Sequence, residues 1–239
     1  MLKENNKKLL VIIALILSLF LITGCDKEEE KSDAVKFKEE YESLNGKFDD
    51  DKQIIRTLSV DEDNPFIYST AEEIINKIEN YESFLVYFGY AKDARSRCII
   101  EALINTAKEE RLKQIYYVDI STIRNRMSVD KNGNLITLEK GSDGYNKLLE
   151  LLEDHLYDYQ LVNNYGESVT ATGKRIYAPT VISIIKGEFD SLQDGISPNL
   201  VDLYGELDDT ITNYSKERFS SQIKILVEEL ESCSVSEGC

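Results

Sequence analysis

The stretch SFLVYFGYAKDARSRCIIEALINTAKEERLKQIYYVDI, residues 83–120, decides the fold class of this chain. Residues 83–90 form a continuous apolar run, which is typical of a strand covered on both faces of a mostly parallel sheet. Residues 95–112 carry apolar side chains at helical spacing, and residues 113–120 form a second apolar run. Strand, helix and strand in succession predict part of a layered α/β fold.

Helical spacing recurs on both sides of this stretch. It predicts helices over residues 34–47, 69–82, 144–157 and 214–233. In the second of these helices we expect Ser69 to be the N-cap, because Glu72 follows three residues later. The last helix is expected to place four apolar residues on its buried face: Phe219, Ile223, Leu226 and Leu230.

Strand signals fill the gaps between the predicted helices. Residues 53–60 and 175–189 have strand-like composition, and the second segment is interrupted by Pro179. Residues 129–136 contain an Asn-Gly pair, which predicts a hairpin. We therefore expect a single α/β domain over residues 34–239, including a C-terminal helix and a tail that carries cysteines.

The N-terminus has the layout of an export signal. Three lysines precede an apolar run from Leu9 to Ile22, which is short for a transmembrane helix, and ITGC at residues 22–25 follows. This pattern resembles the bacterial lipobox, and the resemblance implies that residues 1–24 are removed and that Cys25 carries the lipid. Residues 25–33 would then form a charged spacer. The alternative is an uncleaved N-terminal anchor, and either arrangement tethers the protein to a membrane.

Composition excludes several classes of function. The chain carries 28 basic and 44 acidic residues, a formal net charge of −16, and such a surface repels nucleic acid. His155 is the single histidine, which argues against histidine-based metal sites and catalytic triads. The acidic clusters at residues 48–52 and 61–64 lack the spacing of a calcium loop, so we expect solvated charge there. We expect no metal ion and no cofactor.

The order of LVYFG, IYYVDI and RIYAPTVISIIKGEF resembles the thioredoxin-like superfamily, and most closely the thioredoxin-like lipoproteins of Gram-positive bacteria. The resemblance covers about residues 60–190. It implies a three-layer α/β/α domain with helical extensions at both ends, on the extracellular face of the cell membrane. It also implies a cis peptide bond before Pro179, facing the turn that carries the redox cysteines in that family.

In this chain the redox turn has changed. An ungapped comparison puts Asp93 at the first cysteine position and Ser96 at the second, with Arg97 after them. An aspartate is among the best helix N-caps, so the turn can fold without a thiol. We therefore predict that the chain lacks the redox pair, and that Cys98 is a semi-exposed residue pointing away from the core. The alternative slides Cys98 onto the second cysteine position.

The resemblance implies that the groove between this turn and Pro179 is the candidate binding surface. Candidate groove residues are Tyr90, Arg95, Arg97, Cys98, Tyr177, Ala178 and Thr180. The predicted function is a binding or accessory module for an exported peptide or protein. The alternative is a thiol–disulfide oxidoreductase that uses Cys98, or Cys233 with Cys239. We expect the last two cysteines to form a structural disulfide, because thiols tend to oxidise outside the membrane.

Overall fold

The computed structural model describes residues 31–235, and the side chains of Ser234 and Val235 are not described. Residues 32–235 belong to one compact unit, which is described below. Its helices are α1 (Asp33–Glu42), α2 (Ala71–Glu79), α3 (Ala94–Glu109), α4 (Asp143–Leu151) and α5 (Asp209–Val235). Its strands are β1 (Phe66–Tyr68), β2 (Phe84–Gly89), β3 (Ile115–Asp119), β4 (Arg126–Val129), β5 (Leu135–Glu139), β6 (Tyr157–Val162), β7 (Ser168–Arg175), β8 (Thr180–Ile185) and β9 (Glu188–Gln193).

A five-stranded mixed sheet forms the centre, in the order β1-β3-β2-β8-β9. Strands β1, β3 and β2 are parallel, whereas β8 runs antiparallel to β2 and β9 antiparallel to β8. Strand β2 is buried at every position, as its unbroken apolar run predicts. The mixed α/β architecture predicted from residues 83–120 is therefore confirmed.

Helices cover both faces of this sheet because successive side chains of a strand point to opposite sides. Leu85 and Tyr87 of β2 join a core with helices α1, α3 and α5. Phe84, Val86 and Phe88 join a second core with helices α2 and α4. The sheet is thus the middle of three layers.

Two hairpins are inserted between β3 and β8. Strands β4 and β5 form the first, around the predicted Asn-Gly turn, and strands β6 and β7 form the second. The second hairpin was not predicted from the sequence, because its strands are mostly exposed and polar and lack an apolar run. The predicted helix over residues 144–157 is shorter in the structure: α4 ends at Leu151, a 3-10 turn spans Glu153–His155, and Tyr157 is the first residue of β6.

Other predicted elements are corrected in detail. Residues 53–60 form no strand ladder; a single bridge joins Ile54 to Phe48, and the rest has no regular secondary structure. Helix α2 is capped by Thr70 with Glu73, so the capping box lies one residue beyond the Ser69 position we expected. Helix α5 begins at Asp209, and Leu230 is 38% exposed, not buried. No helix within residues 31–235 has the length and apolar character needed to cross a membrane.

Candidate functional site

The turn between β2 and α3 is built on a close approach of Tyr87 to Gly89. The Tyr87 phenol lies where a Cβ on residue 89 would sit, so only glycine fits at the end of β2. The hydroxyl groups of Tyr87 and Tyr41 are 2.9 Å apart, inside the core. This packing fixes the path of the chain into the first turn of α3.

Asp93 is the N-cap of α3. Its backbone is extended, with φ −75° and ψ 120°, and its Oδ2 accepts a hydrogen bond of 2.6 Å from the backbone N–H of Ser96. Burial raises the pKa of the Asp93 carboxyl, while the bonds from Ser96 and the charges of Arg124 and Arg95 oppose that rise. The carboxylate thus satisfies one of the free N–H groups at the start of the helix.

Arg97 does not line a groove, which corrects the prediction. Its side chain is 1% exposed and points into the interior. It donates to the carbonyl oxygens of Tyr41 at 2.9 Å, Ala91 at 3.1 Å and Arg56 at 3.0 Å, and to Asn45 Oδ1 at 2.7 Å. The guanidinium therefore ties the end of α1, the segment at residue 56 and the β2–α3 turn together.

Cys98 is buried as well, so the expectation that it is semi-exposed is wrong. It is 4% exposed, and its Sγ lies 3.2 Å from the carbonyl oxygen of Ala94 and 3.5 Å from that of Leu203. The loop that contains Leu203 covers this side of α3, which the helical wheel alone places in solvent. Burial raises the pKa of the Cys98 thiol, and the charge of Arg56 only partly opposes it. A buried thiol with a raised pKa is a poor nucleophile.

The peptide bond between Ala178 and Pro179 is cis, the isomer expected from the sequence. Thr180 pairs with Phe88 in the sheet, so Pro179 lies beside the end of β2 and the turn that follows. Thr180 is buried, contrary to its predicted place on the groove surface, whereas Tyr177 and Ala178 are half-buried. The Tyr177 hydroxyl accepts from the N–H of Gln160 at 2.8 Å and donates to the carbonyl of Asp158 at 3.0 Å.

Two arginines that were not predicted as site residues lie near the β2–α3 turn and Pro179, each packed against tyrosine. The Arg124 guanidinium is 4.9 Å from the centre of the Tyr90 ring and donates to its hydroxyl at 3.1 Å. The Arg175 guanidinium is 4.0 Å from the Tyr159 ring and 5.5 Å from the Tyr177 ring. The signal that could have pointed to Arg124 is its position just after a parallel strand ends, where ligands tend to bind in such sheets.

Tyr90 also lines a cavity of about 320 Å³. Glu40, Leu44 and Asp119 contribute to its lining. The Glu40 carboxylate accepts from the hydroxyls of Tyr117, at 3.1 Å, and Tyr68, and burial raises its pKa. These bonds hold α1 against the sheet, so the carboxylate has a structural role there.

The remaining predicted positions do not contribute to this cavity. Arg95 is exposed on the first turn of α3. Cys25 and Cys239 lie outside the described residues. Cys233 lies near the end of α5, and its Sγ is 3.2 Å from Glu229 Oε1. In the predicted acidic clusters, Lys108 pairs with Asp61 at 2.8 Å and Asp63 at 2.6 Å.

Comparison of the chain with models of known protein families, with curated proteins and with solved structures found no match in any of the three.

Proposed function

We propose that this chain is a lipoprotein anchored through Cys25 to the extracellular face of a bacterial cell membrane. Its domain is a thioredoxin-like fold without the redox cysteine pair, and it acts as a binding module for an exported peptide or protein. The reason for proposing this fold is that residues 60–190 resemble the thioredoxin-like superfamily. A mixed sheet with helices on both faces and a cis-proline beside the first strand–helix turn are compatible with it.

The observation that carries the proposal is the cap at Asp93. A redox turn of this kind needs a thiolate stabilised by the start of a helix and a second thiol that resolves the mixed disulfide. Here a carboxylate accepts the N–H of Ser96 at that place, and the nearest cysteine in sequence, Cys98, is buried under the Leu203 carbonyl. In this proposal the carboxylate caps the turn, and the turn has no thiol available for disulfide exchange.

Half-buried residues beside the turn supply the proposed binding surface: Tyr90, Tyr177 and Ala178. Tyrosines suit such a surface because they combine a large apolar ring with a polar hydroxyl. The Tyr177 hydroxyl is held by Gln160 and Asp158, so its ring is already fixed before a partner arrives.

Reduction of insulin by dithiothreitol tests the loss of redox chemistry. We expect the full chain, purified in detergent, to leave the rate at that of dithiothreitol alone. We also expect alkylation and mass spectrometry to find Cys98 protected in the native protein and reactive after denaturation. Catalysed reduction that disappears in C98A or in C233A would contradict the proposal.

Photo-crosslinking in intact cells tests the binding surface. A crosslinking amino acid replaces Tyr90 or Tyr177, and the matched control replaces Tyr165, which is 82% exposed on the β6–β7 hairpin. We expect the first two positions to capture the same exported peptide or protein and the control to capture none. Equal capture at all three positions would reject this surface. Metabolic labelling with a fatty acid, compared between the wild type and C25S, tests the anchor.

A further inference from the structure

Arg124 and Arg175 are half-buried arginines, each packed against a tyrosine ring. Their neighbour Arg126 pairs with Glu139 at 3.2 Å. Within residues 31–235, by contrast, no carboxylate oxygen lies within 4.0 Å of the Arg124 or Arg175 guanidinium. The Nε of Arg124 is buried and has no hydrogen-bond partner among the described residues. Because this nitrogen is buried, a ligand can bind Arg124 only through the terminal N–H groups of the guanidinium.

Tyrosine rings hold both guanidinium groups in place. Arg124 lies against Tyr90 and also bonds to its hydroxyl, while Arg175 lies against Tyr159 and donates to the carbonyl of Asn125 at 3.1 Å. This bond places Arg175 beside the chain segment of Arg124, because Asn125 is the residue that follows Arg124. An arginine fixed in this way loses little freedom when it binds a ligand.

We infer that Arg124 and Arg175 form a carboxylate-binding site for a peptide, next to Tyr90 and Tyr177. This inference rests on the proposed binding function and names the chemistry of the ligand. A guanidinium fork fits the two oxygens of a carboxylate, and the tyrosine rings fit the adjoining peptide. Asp93, whose charge acts on Arg124, disfavours a doubly charged phosphate more than a singly charged carboxylate.

The net charge of −16 does not prevent such binding. Charges separated by more than about 8 Å in water are largely screened at physiological ionic strength. A carboxylate bound to the two preorganised guanidinium groups would lie much closer than about 8 Å to their charges, in a position partly shielded from water. The carboxylate can belong to an Asp or Glu side chain or to the C-terminus of the peptide, and both sources present the same group.

Three short peptides separate these cases, each labelled at the N-terminus with an uncharged fluorophore. One contains Glu and ends in an amide, the second has Gln in its place, and the third has Gln with a free C-terminal carboxylate. Binding to the full chain in detergent is measured by fluorescence anisotropy. We expect at least one carboxylate peptide to bind about ten-fold or more tightly than the Gln amide, because charged hydrogen bonds are the strong ones.

Matched variants assign the preference to the two arginines. R124Q and R175Q should remove the ten-fold preference, and R124K should retain part of it, because lysine keeps the charge but not the fork. The controls R126Q, next to the site, and R218Q, an arginine that lies against Tyr214 on α5, should keep the full preference. Thermal unfolding of each variant shows whether it is folded.

Each other outcome overturns the inference. If the three peptides bind equally, the ligand chemistry is wrong while the binding function stands. If none binds, the carboxylate site is wrong, and the crosslinking experiment decides the binding function separately. A preference that survives in R124Q and R175Q places the carboxylate elsewhere. If inorganic phosphate displaces the Glu peptide and acetate at equal concentration does not, the site is one for phosphate.

Discussion

Two arginine sites within this domain differ in how they are satisfied. Arg97 is buried, and its guanidinium donates to three backbone carbonyls and to Asn45. Arg124 and Arg175 lie half-buried against tyrosine rings and lack carboxylate partners among residues 31–235. The first arrangement is closed, because every contact is supplied by the protein itself. In the second arrangement, the guanidinium N–H groups have no carboxylate acceptor among residues 31–235.

The difference distinguishes an arginine that is satisfied within the fold from the two that we propose bind a ligand. Burying a charged group without satisfying its hydrogen bonds is costly, so the bonds of Arg97 are a condition of the fold. Those bonds connect the end of α1 with the turn that presents Asp93. The predictions below test this division, beginning with the interior site.

We expect R97A to have the largest effect. It leaves the carbonyls of Tyr41, Arg56 and Ala91 without their donor and opens a cavity, so the free energy of unfolding should fall by about 3–5 kcal/mol. Urea denaturation measures this change. The matched control is R95A, two residues earlier and exposed, which should change stability by less than about 0.5 kcal/mol. Similar losses in both variants would contradict a structural role that is particular to Arg97.

G89A tests how tightly the interior region is packed. The new methyl group overlaps the Tyr87 phenol, so we expect a loss of about 1–3 kcal/mol, measured by thermal unfolding. The control is G133A in the β4–β5 turn, where φ is +86° and no atom lies within 4 Å of the new Cβ. That variant carries only backbone strain, about 1 kcal/mol. A smaller loss for G89A than for G133A would show that Tyr87 can move aside.

The cap at Asp93 should contribute less. D93A removes the acceptor for the Ser96 N–H and should cost about 1 kcal/mol, whereas asparagine is an equally good N-cap, so D93N should cost little at low pH. Equilibrium unfolding by urea measures both variants. Equal losses in D93A and D93N would contradict the capping role.

The same position gives a pH dependence with a defined sign. Burial raises the pKa of Asp93 above its ordinary value of 3.8, so folding favours the protonated form. The stability of the wild type relative to D93N should therefore fall as pH rises through the folded-state pKa and level off above it. Unfolding measured across the acid range checks this trend, and a relative stability that rises with pH would contradict it.

The smallest effect is expected at Arg126, beside the proposed binding site. Its ion pair with Glu139 is more than half exposed, and such pairs contribute little. R126Q should therefore change the free energy of unfolding by less than about 0.5 kcal/mol, and the change should shrink further at high salt. A loss comparable to that of R97A would show that the exposed side of the molecule also depends on its arginines for folding.

The sequence predicted the central elements well, because their signals are periodic and strong. The apolar run of β2 and the helical spacing of α3 appear in the structure as expected. The β6–β7 hairpin carries no such signal, since its burial is irregular and comes from contacts that are distant in sequence. Residues 53–60 have the composition of a strand, but no neighbouring strand pairs with them.

The candidate site was predictable only in part. Asp93 as a cap follows from local chemistry, which a sequence carries directly. The burial of Cys98 depends on the loop at Leu203, more than a hundred residues later, and a helical wheel contains no information about it. The buried position of the Arg97 side chain likewise depends on its hydrogen bonds to α1 and to residue 56. Contacts between distant segments therefore decided which candidate residues are buried and which are accessible.

The position of α1 has a mechanical consequence. Phe37 stacks between Tyr41 and Phe66, Glu40 is held by two phenols, and the carbonyl of Tyr41 is bound by Arg97. A force applied at the start of α1 would therefore have to break these ring contacts and hydrogen bonds before the helix could detach from the sheet.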